Sequence, residues 1–208
     1  MDLEKLEQKI IQGSGDLGED EALTIASIAE SEVLTLAGVA HRVRLARCGD
    51  AVEVESLISA KTGACPEDCS FCSQAARYRS PIPTHAFLSK SDVLKAAHSS
   101  AEAGASQFCI VVSVRGPNES LMTKVLDSVE AIHNETELDV HCSLGILTRE
   151  QAKQLSGAGV IRYNHNMETA RSFFKEIVST HSWEERKETC EIAKEEGMEL
   201  CSGGIFGM

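Results

Sequence analysis

The chain has 208 residues, enough for one domain with a real core, and its 42% hydrophobic and 4% aromatic content is ordinary for a soluble α/β protein. Lysine and arginine number 20 against 32 aspartates and glutamates, and the net charge of −12 disfavours nonspecific attraction to nucleic acid or to an anionic membrane. No apolar run approaches the roughly 18 residues of a spanning helix and no targeting segment is evident, so a small-molecule partner and a cytoplasmic setting are expected.

In chain order, Leu3, Leu6 and Ile10 sit at helical spacing, Gly13 to Gly15 interrupt the pattern, and Val33, Leu36, Ala40 and Val43 resume it. Residues 1–50 therefore read as a helical N-terminal cap, and 51–208 as the core. VEVESLIS is the first strand. The loop after it, KTGACPEDCSFCSQ, carries Cys65, Cys69 and Cys72 in C-x3-C-x2-C spacing. A cubic 4Fe-4S cluster normally takes four cysteines. Held by three, it keeps one iron open to bind a small molecule, as cleavage of S-adenosyl-L-methionine by inner-sphere electron transfer requires. The spacing thus points to radical chemistry. Zinc and a redox thiol are the alternatives; zinc usually takes a second Cys or His pair, and none follows at ordinary spacing.

Beyond this loop a unit recurs in which a capped helix ends at glycine and a short apolar strand follows. Ser89 with Asp92, Thr148 with Gln151 and Ser182 with Glu185 read as capping boxes or close variants, Asn118 lies near another helix start, and Gly104, Gly159 and Gly197 are the stops. The strands read QFCIVVS, ELDVHCSL, VIRYNHN and ELCSGGI. Strands alternating with helices, without hairpin signals, predict an α/β fold: a parallel sheet forming part of a TIM-type (βα) barrel. Five strands are visible where a closed barrel uses eight. An open sheet exposes an unpaired edge, so independent folding and activity of this length of chain are not expected.

Three further cysteines lie on different strands. By the period of two, Cys109 shares a face with Val111, and Cys142 with Val140 and Leu144, so that these two, with Cys201, are expected to point into the barrel. The alternative for each is a buried thiol acting as a small hydrophobe. RYNHNMET places Asn164, Asn166 and Glu168 at alternate positions, suited to hydrogen-bonding a polar ligand, or else an Asn-rich strand end making turn contacts. His141 and His165 are expected on the face opposite Cys142, Asn164 and Asn166, as structural residues. Cys190 reads as helix-face packing and Cys48 as a residue of a helix end.

From about Leu36 onward the chain resembles the biotin synthases, a family of radical S-adenosylmethionine enzymes. The phrases VEVESLISAKTGACPEDCSFCSQ, QFCIVVSVRGP, HCSLGILT, RYNHNMETARSFF, HSWEER and ELCSGGIFGM stand in the family's order and at about its separations. The resemblance implies a radical SAM barrel that inserts sulfur into dethiobiotin to form biotin, with an electron-donor protein as partner and a homodimeric state. It implies that Cys65, Cys69 and Cys72 hold the 4Fe-4S cluster and that Phe71 packs near adenine. Asn166 and Glu168 would contact S-adenosylmethionine, the acid at the ribose hydroxyls, where the family also uses aspartate. Arg186 would pair with its methionine carboxylate, and Asn164 and Asn166 would lie near the ureido ring of dethiobiotin. Cys109, Cys142 and Cys201 would ligate a 2Fe-2S cluster whose fourth ligand, an arginine on a later strand, this chain does not contain. The last third of the family's length is absent. Related radical enzymes of hydrogenase-maturation or amino-acid-mutase type, and an inactive iron–sulfur or zinc-binding module, are the competing readings.

Overall fold

The computed structural model describes residues 2–13 and 15–208. Of the expected break at Gly13 to Gly15, Ser14 lies outside the described residues, as does Met1. The chain divides into two compact units, Met1–Val52 and Glu53–Met208.

The first unit is helical: α1 (Leu3–Gln12), α2 (Glu19–Ala26), a short 3-10 turn (Glu30–Glu32) and α3 (Val33–Cys48). Asp2 caps α1 by accepting from the Lys5 amide, and the amide of Gly13 closes the helix on the Lys9 carbonyl. Leu6 and Val39 are buried, and Arg42 donates to both oxygens of Glu7, at 2.8 and 2.6 Å. Among the described residues no single helix is long and apolar enough to cross a membrane.

The second unit begins with β1 (Glu55–Lys61), three residues inside the expected strand, followed by α4 (Lys90–Glu102), β2 (Gln107–Val112), α5 (Glu119–Glu135) and β3 (Asp139–Ser143). Then come α6 (Arg149–Gly157), β4 (Arg162–Asn164), the single turn α7 (Phe174–Ile177), α8 (Trp183–Glu195) and β5 (Glu199–Cys201). The strands form one sheet in sequence order, every pair parallel. This is the succession of a (βα) barrel.

The caps fall where the sequence puts them. Ser89, Asn118, Thr148 and Ser182 are N-caps whose side chains accept from the third helical amide, and Thr148 and Ser182 complete full boxes with Gln151 and Glu185. Three helices end in the same reversal. Gly104, Gly159 and Gly197 take φ of +89°, +91° and +90°. In each case the next amide returns to a carbonyl of the last turn: Ala105 to Ser100, Val160 to Leu155 and Met198 to Ala193, all at 3.0 Å. A left-handed residue after the cap with this back-bond is the Schellman closure, and it aims the chain into the next strand.

Parallel partners in register share a face of the sheet, which separates the side chains into two sets. Ile58, Ile110, Cys142 and Tyr163 belong to one set. This face carries Phe108, Val112, Val140 and Leu144 and packs on Val93, Val125, Val129, Ile132 and Leu155 of the helices, the continuous core of the unit. The other face belongs to the barrel interior. Register places Glu55, Leu57, Cys109, Val111, His141, Ser143, Arg162, Asn164, Glu199 and Cys201 there.

A candidate cluster and nucleotide site at the carboxyl end of the sheet

At the end of β1 the chain turns through two consecutive left-handed residues, Gly63 (φ +71°) and Ala64 (φ +50°), directly before Cys65. A Cβ at position 63 would lie 2.5 Å from Thr84 Oγ1, so only glycine fits. The loop then folds back on itself. The Cys65 amide donates to the Gln74 carbonyl (3.0 Å), Ala76 to the Cys65 carbonyl (2.9 Å), Cys72 to that of Cys69 (3.0 Å), and the Gly63 amide to Gln74 Oε1 (2.6 Å). Backbone bonds thus fix the three thiols rather than leaving them on a free loop. Cys65 and Cys69 are buried and Cys72 is half-buried. Burial raises the Cys65 thiol and pushes Cys69 up to about 11. Thiols held protonated in this way are poor nucleophiles, which disfavours the redox-thiol reading; a bound metal would displace their protons.

A cavity of about 240 Å³ opens at this end of the sheet, lined by Cys65, Cys69 and Cys72 together with Asn164, Asn166, Glu168 and Arg186. Seven residues singled out from sequence therefore surround one space. β4 ends at Asn164, so Asn166 and Glu168 reach the cavity from a turn and not from a continued strand. Glu168 is left-handed, at φ +65°. The glycine-rich segment after β5 holds this turn: Gly203 donates to Asn166 Oδ1 (3.0 Å), Glu168 to the Gly203 carbonyl (3.1 Å), and Ile205 to the Glu168 carbonyl (2.7 Å). A Cβ at Gly204 would come within 2.8 Å of that carbonyl oxygen. Burial raises the Glu168 carboxyl pKa, against the lowering effect of Arg186 and Asn166.

Arg186 is positioned by Asn166 and by a residue that the sequence pattern does not single out, His181. Its Nε donates to His181 Nε2 (2.9 Å) and its Nη1 to the Asn166 carbonyl (2.7 Å), with Glu168 Oε1 at 3.8 Å. His181 in turn donates through Nδ1 to Glu67, inside the cysteine motif. Glu67 also accepts from the Thr180 hydroxyl and from Arg115 Nη1 (3.1 Å). Burial raises the Glu67 pKa, but the hydrogen bonds from Thr180, His181 and Arg115 outweigh it and hold the carboxyl below its ordinary value. Neighbouring Asp68 accepts from the amides of Ser179 (2.9 Å) and Thr180 (3.2 Å) and from both their hydroxyls, which hold its carboxyl far below the usual range. The two acids of CPEDC thus clasp the cysteine loop to the segment before α8. The signal was present in the acid pair between two ligand cysteines, but Ser179, Thr180 and His181, which they engage, lie more than a hundred residues away.

Phe71 does not line the cavity. It packs with Cys69, Phe174, Ile177 and Val178 in a small separate cluster. Cys48 is exposed at the end of α3, and the Cys190 thiol is buried 3.5 Å from the His165 carbonyl.

The second cysteine set is divided by strand register. Cys109 stands in register with His141, and Asn164 with Cys201; Cys142 stands in register with Ile110 and Tyr163. Cys109 and Cys201 therefore face the barrel interior, whereas Cys142, fully buried, lies in the layer between sheet and helices. The period-two pattern gives the spacing within a strand, but only pairing gives the phase between strands. His141 is corrected by the same register, for it shares the interior face with Cys109 and Asn164. Register thus puts Cys109 and Cys201 on one face and Cys142 on the other, although, beyond the effect of burial, Cys109 lies close enough to raise the thiol pKa of Cys142, and Cys201 that of Cys109.

The triad suits a four-iron cluster better than zinc. Among the described residues no three His, Cys, Asp or Glu side chains converge to hold one metal ion. A zinc ion requires four ligands about one point, whereas a cubic cluster takes each thiolate on a different iron. The donors for a polar ligand are in the same cavity, and Asn164 Oδ1 is buried there without a hydrogen-bond partner.

Residues 60–208 match the radical SAM superfamily. The chain is 49% identical over 201 residues to biotin synthase of Mycobacterium tuberculosis and 48% identical over 206 residues to biotin synthase of Mycobacterium leprae. These alignments cover 97% and 99% of this chain but 57% and 59% of those proteins, so it spans a little under three fifths of the curated relatives' length. Among solved structures, methylornithine synthase superposes with a TM-score of 0.83 at 20% identity, covering 97% of this chain and 59% of that one. The FeFe-hydrogenase maturase HydG from Carboxydothermus hydrogenoformans gives 0.79 at 19%, covering 98% and 48%. At such identities these two show the shared fold alone.

Proposed function

The chain belongs to the radical SAM superfamily, and from that premise we propose that its chemistry is that of biotin synthase, the conversion of dethiobiotin to biotin by a 5′-deoxyadenosyl radical. The observation that carries this reading is the convergence of three thiols, Arg186, Asn166 and Glu168 on one cavity, supported by 49% identity to biotin synthase.

When bound, the 4Fe-4S cluster supplies the electron that cleaves S-adenosylmethionine. Cys65, Cys69 and Cys72 would hold it, and the backbone ring through Gln74 fixes their spacing before it arrives. Arg186 would receive the methionine carboxylate, for which its planar fork is suited. Its Nε is already engaged by His181 and one Nη by the Asn166 carbonyl, so the guanidinium plane is set before a ligand enters. Glu168 and Asn166 would take the ribose, and Asn164 the ureido group of the substrate. The barrel wall at Val111 and Val112 lines the same space and would shield the radical from water. No step is assigned to Cys142. An electron-donor protein, a homodimeric state and a cytoplasmic setting belong to the same proposal by the chain's relation to biotin synthases.

The test is product formation. With S-adenosylmethionine, dethiobiotin and a reductant, the anaerobically reconstituted chain should release 5′-deoxyadenosine, a partial reaction that the triad and the cavity residues support even where no biotin is formed, and Cys69→Ala should abolish the release. Undiminished 5′-deoxyadenosine from Cys69→Ala would refute the assignment of the triad, and 5′-deoxyadenosine formed without dependence on dethiobiotin would refute the substrate.

A further inference from the structure

The carboxyl end of β1 departs from a regular ladder. Ser59 stands in register with Val111 and Lys61 with Val112, so two residues of β1 oppose one of β2, a bulge of the kind that re-aims a side chain beside a site. Lys61 Nζ donates to the Ser113 carbonyl (2.7 Å) and to the Gly63 carbonyl (3.0 Å), and the Ser113 amide donates back to the Lys61 carbonyl (3.1 Å). Both partners of this half-buried ammonium are backbone carbonyls, so a residue type that ordinarily keeps its charge in water is turned to the left-handed step before Cys65.

Ser113, just beyond β2, approaches the same step from the cavity. It is buried and lines that space with Cys65. Its Oγ lies 3.3 Å from the Gly63 carbonyl oxygen, long for a hydroxyl donor, while Lys61 already donates to that oxygen. A serine hydroxyl has one proton to give. Burial raises the Cys65 thiol pKa, and hydrogen bonds from the Glu67 amide and the Ser113 side chain act against it. The Cys65 sulfur is thus a second acceptor within reach of the Ser113 hydroxyl, and it becomes the stronger one once it is a thiolate.

We propose that Ser113 is a hydrogen-bond donor to the Cys65 sulfur and that Lys61, by occupying the Gly63 carbonyl, is the positioning residue that turns the hydroxyl toward it, so that the two raise the reduction potential of a cluster held by the triad. Reduction adds negative charge to the cluster and its thiolates, and a donor aimed at a sulfur stabilises the reduced form. The inference rests on the proposed function only in taking the triad as the cluster's cradle, and its test needs neither S-adenosylmethionine nor dethiobiotin. The full chain is reconstituted anaerobically with ferrous iron and sulfide and titrated potentiometrically, with the paramagnetic signal that is absent from Cys69→Ala as the readout. Ser113→Ala should shift the reduction equilibrium about tenfold toward the oxidised cluster, ~59 mV for one electron, whereas Ser113→Thr, which keeps the hydroxyl, should stay close to wild type. Lys61→Met leaves the Gly63 carbonyl free to compete for the hydroxyl proton and should shift the equilibrium in the same direction, and Lys61→Arg should hold it near the wild-type value. Added to Ser113→Ala, Lys61→Met should change the potential little further, because the lysine acts through the hydroxyl. Additive shifts would mean that the ammonium acts by its charge alone and would overturn the proposal. A role confined to holding the loop would lower the amount of cluster bound and leave the potential of what forms unchanged, and that result in Ser113→Ala would also overturn it. Where Ser113→Ala binds no cluster, Lys61→Met decides, a wild-type potential counting against the proposal. A wild-type chain without a cluster would refute the reading of the triad and this inference with it, whereas an unshifted potential in variants that bind one would refute this inference alone.

Discussion

At the scale of single residues, the site depends on buried polar groups whose protonation is set by their neighbours. Glu67 fixes the His181 tautomer and His181 fixes Arg186, so Glu67→Gln should weaken S-adenosylmethionine binding roughly tenfold, the loss of one charge-assisted contact. Calorimetric titration of the reconstituted chain checks this. His181→Gln, whose amide oxygen can still accept from Arg186, should lose less than His181→Leu, and equal losses would contradict the relay. His165 gives a pH prediction. Burial lowers its pKa to about 3, with Arg186 and His181 contributing, so between about pH 6.5 and 3 the unfolded chain binds a proton that the folded chain refuses. Its contribution to stability is present above that window and is lost as the pH falls, by about 2 kcal/mol from pH 7 to 5 at ~1.4 kcal/mol per unit. Urea denaturation at the two pH values should show this component in the wild-type apoprotein and not in His165→Phe; an unchanged difference in the variant would contradict it.

At the scale of elements, each of three helices is stopped by the same glycine device, but the surroundings differ. A Cβ at Gly104 meets nothing within 4 Å, whereas at Gly159 it would lie 2.8 Å from His133 Nε2. Gly104→Ala should therefore cost only the left-handed backbone penalty, about 1–2 kcal/mol, and Gly159→Ala that penalty plus displacement of the imidazole. Thermal melts should rank Gly159→Ala below Gly104→Ala, and equal melts would mean that the shared left-handed φ, not the crowding, dominates. These caps and stops were legible because they are local: a hydroxyl or amide three residues ahead of its partner, and a glycine where the backbone turns left-handed. β4 is shorter than its sequence pattern predicts for an equally physical reason. RYNHN has strand-like alternation, but Asn166 and Glu168 are engaged by Gly203, Gly204 and Ile205, a contact that local propensity does not contain.

At the scale of the whole molecule, the core unit is five strands of a barrel type that closes with eight. Leu57, on the interior face of β1, is 66% exposed, and Phe206, beyond β5, is fully exposed. Exposed apolar side chains of this size favour self-association. Leu57→Ser should reduce binding of a hydrophobic dye and shift light scattering toward the monomer, at a cost below about 1 kcal/mol because little area is buried there. A cost of several kcal/mol would mean that Leu57 is covered in solution.

The sequence by itself determined what depends on neighbours along the chain: the triad and its open-iron spacing, the caps, the glycine stops, the alternation of strand and helix, and through these an α/β barrel. Only the tertiary structure decided which side chains meet. It brought Glu67 to His181 and Arg186, and it set the phase of β3 against β2 and β4, turning His141 inward and Cys142 toward the helices. A strand's pattern repeats every two residues and looks the same from either side, so the face it presents is fixed by hydrogen-bond pairing with strands distant in sequence.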